Sequence, residues 1–223
     1  LQVVVGAMLL LTLVDAEIEL VPDEIATHQA IIRRAKGRRV DPSEMLLDSN
    51  LDHRAMASLQ DGARRGRPDI AHICLLAALD SIPSREGRMR VYVHTRHDIV
   101  MEFDPKTRIP RSQNRFYGLL EKLLSEGKGT ELITVSRMSI RQLQKQLAPD
   151  LSLGFSRRGE SGDLRSMLSG ERKTMAMVGG FPSGYFRSPV GEIARIVRCY
   201  DEPLDAWTVV NEIICAYRWG PVG

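Results

Sequence analysis

The apolar run from Thr174 to Val178 breaks abruptly into Gly179-Gly180-Phe181-Pro182-Ser183-Gly184. A strand that ends in glycines can bring its N–H groups up to a ligand, because no Cβ stands in the way and φ > 0 is open to it. Further on, Tyr200-Asp201-Glu202-Pro203-Leu204 opens an amphipathic helix through Ala206, Trp207, Val209, Val210, Ile213 and Ile214. Apolar residues at i, i+3, i+4 and i+7 give that helix one buried face. Two such bends side by side predict a pocket whose selectivity comes largely from backbone atoms. Taken alone, each bend also reads as an ordinary turn. The glycine spacing is not G-x-G-x-x-G, and the chain holds no G-x-x-x-x-G-K-[ST], so neither dinucleotide nor P-loop chemistry is indicated.

The rest of the chain alternates strand and helix patterns. Leu9 to Val14 reads as a buried strand. Ile25 to Lys36 reads as a helix stopped by Gly37, and Met45 to Leu47 as a short strand. Arg67-Pro68-Asp69 opens a clear helix, with proline in the first turn and an acid at the positive end of the dipole. Its apolar face carries Ile70, Ile73, Cys74, Ala77 and Ile82. Met89 to His94 and Ile99 to Phe103 are strand candidates. Ser112 is an N-cap for the helix bearing Phe116, Leu120 and Leu123. Leu132 to Val135 and Leu151 to Phe155 are further strands, with helices from Ser139 and over Leu164 to Leu168. This order predicts an α/β class with a largely parallel sheet, and 223 residues suffice for one sizeable core. The apolar run Val3 to Val14 is shorter than the ~20 residues that span a bilayer. It lacks the preceding positive charge and the cleavage pattern of a signal peptide. Cys74, Cys199 and Cys215 are odd in number and without CxxC spacing, which argues against a disulfide framework or zinc site and favours a reducing cytoplasm.

Charge type says more than net charge, which is only +3. The chain has 25 Arg and 6 Lys, and the planar arginine fork grips phosphate in two places. The arginines cluster at 33–39, 64–67, 85–96 and 108–115. That is the footprint of a polyanion site, with nucleic acid the natural ligand, although a solvated helix surface can also carry such charges. Arg108, Arg111 and Arg115 lie around Pro110 and on the first turn of the following helix, where backbone N–H groups also favour anions. The acids of Asp15-Ala16-Glu17-Ile18-Glu19 can face a ligand or pair with arginines. His94-x-x-His97 has no nearby Cys or carboxylate to complete a metal site. Asp80 sits at the far end of the helix from Pro68, where the dipole disfavours a carboxylate. It is a candidate base if partly withdrawn from water, and otherwise a structural acid held by an arginine.

Together with Val14-Asp15-Ala16-Glu17-Ile18-Glu19-Leu20-Val21-Pro22, Arg67-Pro68-Asp69 and Arg108-Ile109-Pro110-Arg111-x-x-Asn114-Arg115-Phe116, the two late bends carry a resemblance over nearly the whole chain. It resembles the archaeal branch of the SPOUT-class methyltransferases that modify pseudouridine in small-subunit ribosomal RNA, also known as ribosome-biogenesis factors. The resemblance implies one SPOUT domain over 1–223, with an insertion at about 37–66. It also implies a C-terminal trefoil knot that binds the cofactor, over about 151–223. S-adenosylmethionine would be held by Gly179, Gly184 and the backbone of Cys199, Tyr200, Asp201, Glu202, Pro203 and Leu204. Ser156, at a strand exit, is placed at the pocket wall. The expected product is S-adenosylhomocysteine, and no metal is needed. Arg67, positioned by Asp69, would touch RNA with Arg108, Arg111 and Arg115. The proton acceptor assigned here is Asp80. The expected partners are small-subunit ribosomal RNA, a second copy of the chain and ribosomal proteins met during assembly, with no membrane. Two residues depart from the family pattern: Ser183 stands where His is usual, and Asp205 where an apolar residue is common. The alternative from another class is a non-catalytic RNA-binding assembly factor, for which the arginines alone would suffice. A plain α/β nucleotide-binding protein is a third reading, disfavoured by the missing phosphate loops. If Arg111 grips phosphate, Arg111→Ala weakens RNA binding and lowers the salt slope of log K by about 1. Cofactor affinity stays unchanged, as titrations at several salt concentrations will read.

Overall fold

The computed structural model describes residues 7–169 and 172–219, so Val3 to Gly6 of the first apolar run lie outside the described residues. β1 (Met8–Ala16) is buried on both faces. Leu9, Leu11 and Leu13 enter one core, while Leu10 and Val14 enter another on the opposite face. Alternate side chains of a strand point to opposite sides, so a strand apolar throughout must be covered twice.

β1 is the middle strand of seven. The chain continues through α1 (Asp23–Ala26), α2 (Gln29–Arg38), a 3-10 turn at Pro42–Glu44 and α3 (Ser49–Met56). Next come α4 (Pro68–Leu79), α5 (Ile82–Arg85), β2 (Met89–Thr95), β3 (Ile99–Phe103) and α6 (Gln113–Glu126). Then follow β4 (Ile133–Arg137), α7 (Ile140–Leu147), β5 (Leu151–Ser161), α8 (Leu164–Leu168) and β6 (Lys173–Gly179). The described chain closes with α9 (Val190–Ile193), β7 (Arg195–Arg198) and α10 (Ala206–Trp219). The strand order is β4-β3-β2-β1-β6-β5-β7. β1 runs parallel to β2 and β6, and β5 parallel to β6 and β7. β2, β3 and β4 form an antiparallel meander at one edge. The sheet is therefore mostly parallel, as expected. The polar link between β2 and β3 is too short for the crossover that parallel pairing needs.

The first core packs α4, α6, α8 and α10 on one face of the sheet, and the second packs α7 and α9 on the other. After β6 the chain crosses to β7 on the far side of β5. It then doubles back to lay α10 against α4, α8 and β6. This return is consistent with the knotted topology implied above.

A third, smaller core gathers Val21, Ile25, Ile31, Ala35, Met45, Leu47, Ala55, Met56 and Leu59. This satellite lobe reaches back to Val21, so a boundary at 37 would cut through α2. Helix α2 passes Gly37 and stops at Arg39, whose φ of 58° makes a left-handed cap. Met45 to Leu47 form no strand, only a bridge between Leu20 and Leu46. α10 begins at Ala206, so the bend from Tyr200 to Leu204 is free of helix. β5 runs on to Ser161, with an irregularity between Phe155 and Glu160 that carries Arg157 and Arg158.

The acids after β1 are internal. Glu17 is fully buried between Arg64 and Arg96. Glu19 takes a two-pronged bond from Arg65, at 2.7 and 2.6 Å, and a third contact from His97 at 2.9 Å. Burial alone would raise the Glu19 pKa, but the bonds from His97 and Arg65 and the charges of Arg65 and Arg96 outweigh it and bring it down to about 2. A carboxyl whose folded pKa lies below its unfolded value contributes stability above the unfolded pKa and loses it as pH falls through the folded one. Urea unfolding is therefore expected to show stability falling between about pH 4.5 and about pH 2, by on the order of 3 kcal/mol from this group. Glu19→Gln is expected to be less stable at pH 7 and to show a flatter decline.

Candidate functional site

Strand β6 ends beside β1, with Val14 opposite Gly179. The Gly180 N–H donates to the Val14 carbonyl at 2.8 Å, and the Glu17 N–H donates to the Gly180 carbonyl at 3.1 Å. A Cβ on Gly180 would lie 2.7 Å from the Ala16 Cα, and one on Gly179 would lie 2.6 Å from the Phe181 ring. Close approach explains both glycines. Gly184 has φ +95°, a conformation that side chains with a Cβ rarely take.

The bend is then tied down at its far end. The buried Asp15 carboxylate accepts the N–H groups of Arg187 and Ser188, at 2.6 and 3.1 Å, and the Ser188 hydroxyl at 2.5 Å. Asp15 itself has φ 54°, and its N–H donates to His94 Nδ1 at 3.4 Å. His94 Nε2 lies 2.9 Å from Asp98, and His97 contacts Glu19. Both histidines thus serve the exit of β1. Among the described residues no cluster of His, Cys, Asp or Glu is placed to hold a metal.

Between this bend and the loop after β7 lies a cavity of about 350 Å³, at the C-terminal ends of β5 and β6. Ser156, Gly179, Gly184, Cys199, Tyr200, Glu202, Pro203 and Leu204 all line it, as does Ser183. Asp201 does not: its carboxylate turns outward to the Arg198 guanidinium at 3.1 Å. The expectation for Asp201 concerns its backbone, which this side-chain pairing does not contradict. Sequence reasoning missed Phe155, Arg157, Phe181, Tyr185 and Phe186 on the lining, and placed Ala206 and Val209 only on the helix's buried face. Their signal was their nearness to the strand exits, which the periodicity of β5 and β6 already marked. Burial, with the charge of Glu212, pushes the Cys199 thiol up to about 12, so it is neutral and no nucleophile. Asp205 immediately precedes α10, its carbonyl accepting from the Thr208 and Val209 N–H groups.

Asp80 needs a correction. It is exposed, caps the end of α4 and pairs with Arg85. α4 starts at the cavity end of the sheet, where the Arg67 N–H donates to the Glu17 carbonyl at 2.9 Å. Twelve residues later, about 18 Å away along the helix axis, Asp80 reaches the opposite edge. It is neither withdrawn from water nor within reach of its own chain's cavity.

The basic groups stand on the cavity side. Arg67 forks onto Asp69 through bonds of 2.9 and 2.8 Å, and that bond raises the Arg67 pKa further. His72, one turn along α4, stacks on Phe116 with ring centres 4.3 Å apart. Its Nε2 lies 2.8 Å from the Pro110 carbonyl. The loop bearing Arg108, Arg111 and Arg115 is thereby fixed to the helix that Arg67 opens. All three are exposed, and Arg111 and Arg115 form no ion pair with any described residue. Ser112 occupies the N-cap position, but its side chain makes no capping bond. At the cavity rim, Arg158 lies 4.0 Å over the Tyr185 ring.

The family profile described as EMG1/NEP1 methyltransferase matches residues 11–218. The chain is 46% identical over 217 residues to the ribosomal RNA small subunit methyltransferase Nep1 of Thermococcus onnurineus, covering 95% of this chain and 98% of the relative. It is 44% identical to the corresponding Nep1 of Pyrococcus furiosus over 215 residues, with coverage of 94% and 96%. The crystal structure of Archaeoglobus fulgidus Nep1 bound to S-adenosylhomocysteine superposes with a TM-score of 0.84 at 31% identity, covering 96% of this chain and 97% of that one.

Proposed function

The chain belongs to the EMG1/NEP1 methyltransferase family, and on that premise we propose that it methylates N1 of a pseudouridine in 16S ribosomal RNA during small-subunit biogenesis. It is an S-adenosylmethionine-dependent ribosomal RNA methyltransferase with the α/β fold of that family. The observation that carries the site is the backbone-lined cavity between the two late bends, in a fold shared with a relative that holds S-adenosylhomocysteine.

The residues present fit that group. Leu204, Ala206 and Val209 offer an apolar wall for a flat base, and Gly179 and Gly184 bring the main chain of the bend to the cavity lining. Gly179, Gly184 and the backbone from Cys199 to Leu204 would hold the cofactor, with Ser156 beside them. When bound, S-adenosylmethionine supplies an electrophilic methyl group, so the chain needs no metal for the transfer. The chain's own part is to hold the acceptor in line and exclude water, which contributes ~7–11 kcal/mol in well-aligned cases. Arg67, set by Asp69, and Arg108, Arg111 and Arg115 would grip RNA phosphates beside the cavity. Residues 151–223 are the cofactor-binding part of a single domain. The site of action is the cytoplasm, among ribosomal RNA and ribosomal proteins, and no described helix is long and apolar enough to cross a membrane.

Asp80 enters this reading only through a second copy. α4 and α10 lie side by side, with Ile73 and Cys215 exposed on them and Ile82 exposed at the start of the adjoining α5. A two-fold axis across this face would reverse one helix pair on the other. That brings the Asp80 end of one copy to the cavity end of its partner, since 14 residues of helix span about 21 Å. Two measurements test these points. Calorimetry is expected to show S-adenosylhomocysteine binding to the natural chain and not to Gly184→Val, with the variant still folded. Retained affinity would take the bend out of the site. Asp80→Asn and Gly184→Val chains, each inactive alone, are expected to regain activity when mixed, because one cavity per mixed dimer is then intact. No recovery would end the shared-site reading.

A further inference from the structure

Arg64 lies outside the cavity, in the turn that closes the satellite lobe, yet its guanidinium meets the cavity's bend at several points. Its Nη1 donates to the Tyr185 carbonyl at 2.7 Å. Its plane lies 3.7 Å over the Phe181 ring. A Cβ added to Gly184 would come 3.4 Å from the same Nη1. Phe181, Gly184 and Tyr185 all line the cavity. On its inner side Arg64 Nε bonds the buried Glu17 at 2.5 Å. Its Nη2 is buried without a partner, which is a cost to the fold and marks a position set by the bend rather than by hydrogen bonding alone. The same turn sends Asp61 to Arg187 at 3.0 Å.

We propose that Arg64 is a positioning residue for the cofactor bend, through which the satellite lobe sets the shape of the cavity. This rests on the reading of the cavity as the S-adenosylmethionine site. Asp15 fixes the bend at residues 187–188, and Arg64 fixes it at 181–185. The role needs a flat, forked cation. One face stacks on the ring, one edge reaches a carbonyl and the other edge stays on Glu17. A lysine ammonium cannot do all three at once. Glu17 is not left unpaired when Arg64 is shortened, because Arg96 also bonds it. A change at Arg64 is therefore felt at the bend more than in the fold.

The test uses the full chain and its Arg64→Lys and Arg64→Gln variants. S-adenosylhomocysteine affinity, RNA affinity at fixed salt and the thermal midpoint are measured for each. Affinity for S-adenosylhomocysteine is expected to fall about tenfold or more in both, the scale of losing a bond to a charged group. RNA affinity should stay within about twofold and the Lys variant's midpoint within a few degrees, while the methyl-donor KM rises more than kcat falls. A Lys variant that binds S-adenosylhomocysteine as the natural chain does overturns the proposal. So does a loss that runs in step with RNA affinity and midpoint, which marks Arg64 as general scaffolding. A natural chain that binds no S-adenosylhomocysteine refutes the cavity reading itself, and the role of Arg64 falls with it.

Discussion

The parallel pairing of β1 with β6 is the contact on which the rest of the molecule depends. It brings Val14 level with Gly179, so the strand that exits into acids lies against the strand that exits into glycines. Because Gly180 has no side chain, the bend can rest on Ala16. Because Asp15 takes a left-handed turn, its carboxylate can reach across to Arg187 and Ser188. One pair of strand ends thus generates both the cavity floor and the anchor of its rim.

The next layer is electrostatic. Glu17 and Glu19 leave water entirely and are met by Arg64, Arg65, Arg96 and His97. Buried carboxylates of this kind are costly unless each is multiply bonded, and here the bonds come from two separate stretches of chain, 64–65 and 96–97. That arrangement ties the satellite lobe and the β2–β3 hairpin to the cavity end of the sheet. The arginines expected to form one polyanion surface therefore divide into two sets. Those at 64–65 and 96 neutralise the interior, while those at 108–115 face solvent.

The parts of the fold that were legible are those governed by local rules. Apolar strands, the Pro68 helix start, the Ser139 cap and the glycine bend each follow from residues close together in sequence, and eight of the nine residues expected at the cofactor site line the cavity. What escaped depends on distant partners. Nothing near Asp80 tells that its helix carries it away from the cavity. The satellite core escaped because Val21 and Ile25 find their apolar partners, Met45 and Met56, across a polar stretch. The antiparallel meander was hidden too, since strand direction is a property of pairs.

The return of α10 has a consequence for how such a chain is made. Its Val210, Ile213 and Tyr217 complete the core under α4 and β6, yet they come after every strand of the sheet in synthesis. The earlier strands must wait with one oily flank bare, and a long detour must close before they gain cover, which is the slow kind of assembly. A growing chain of this type is therefore a natural client for whatever shields nascent polypeptides.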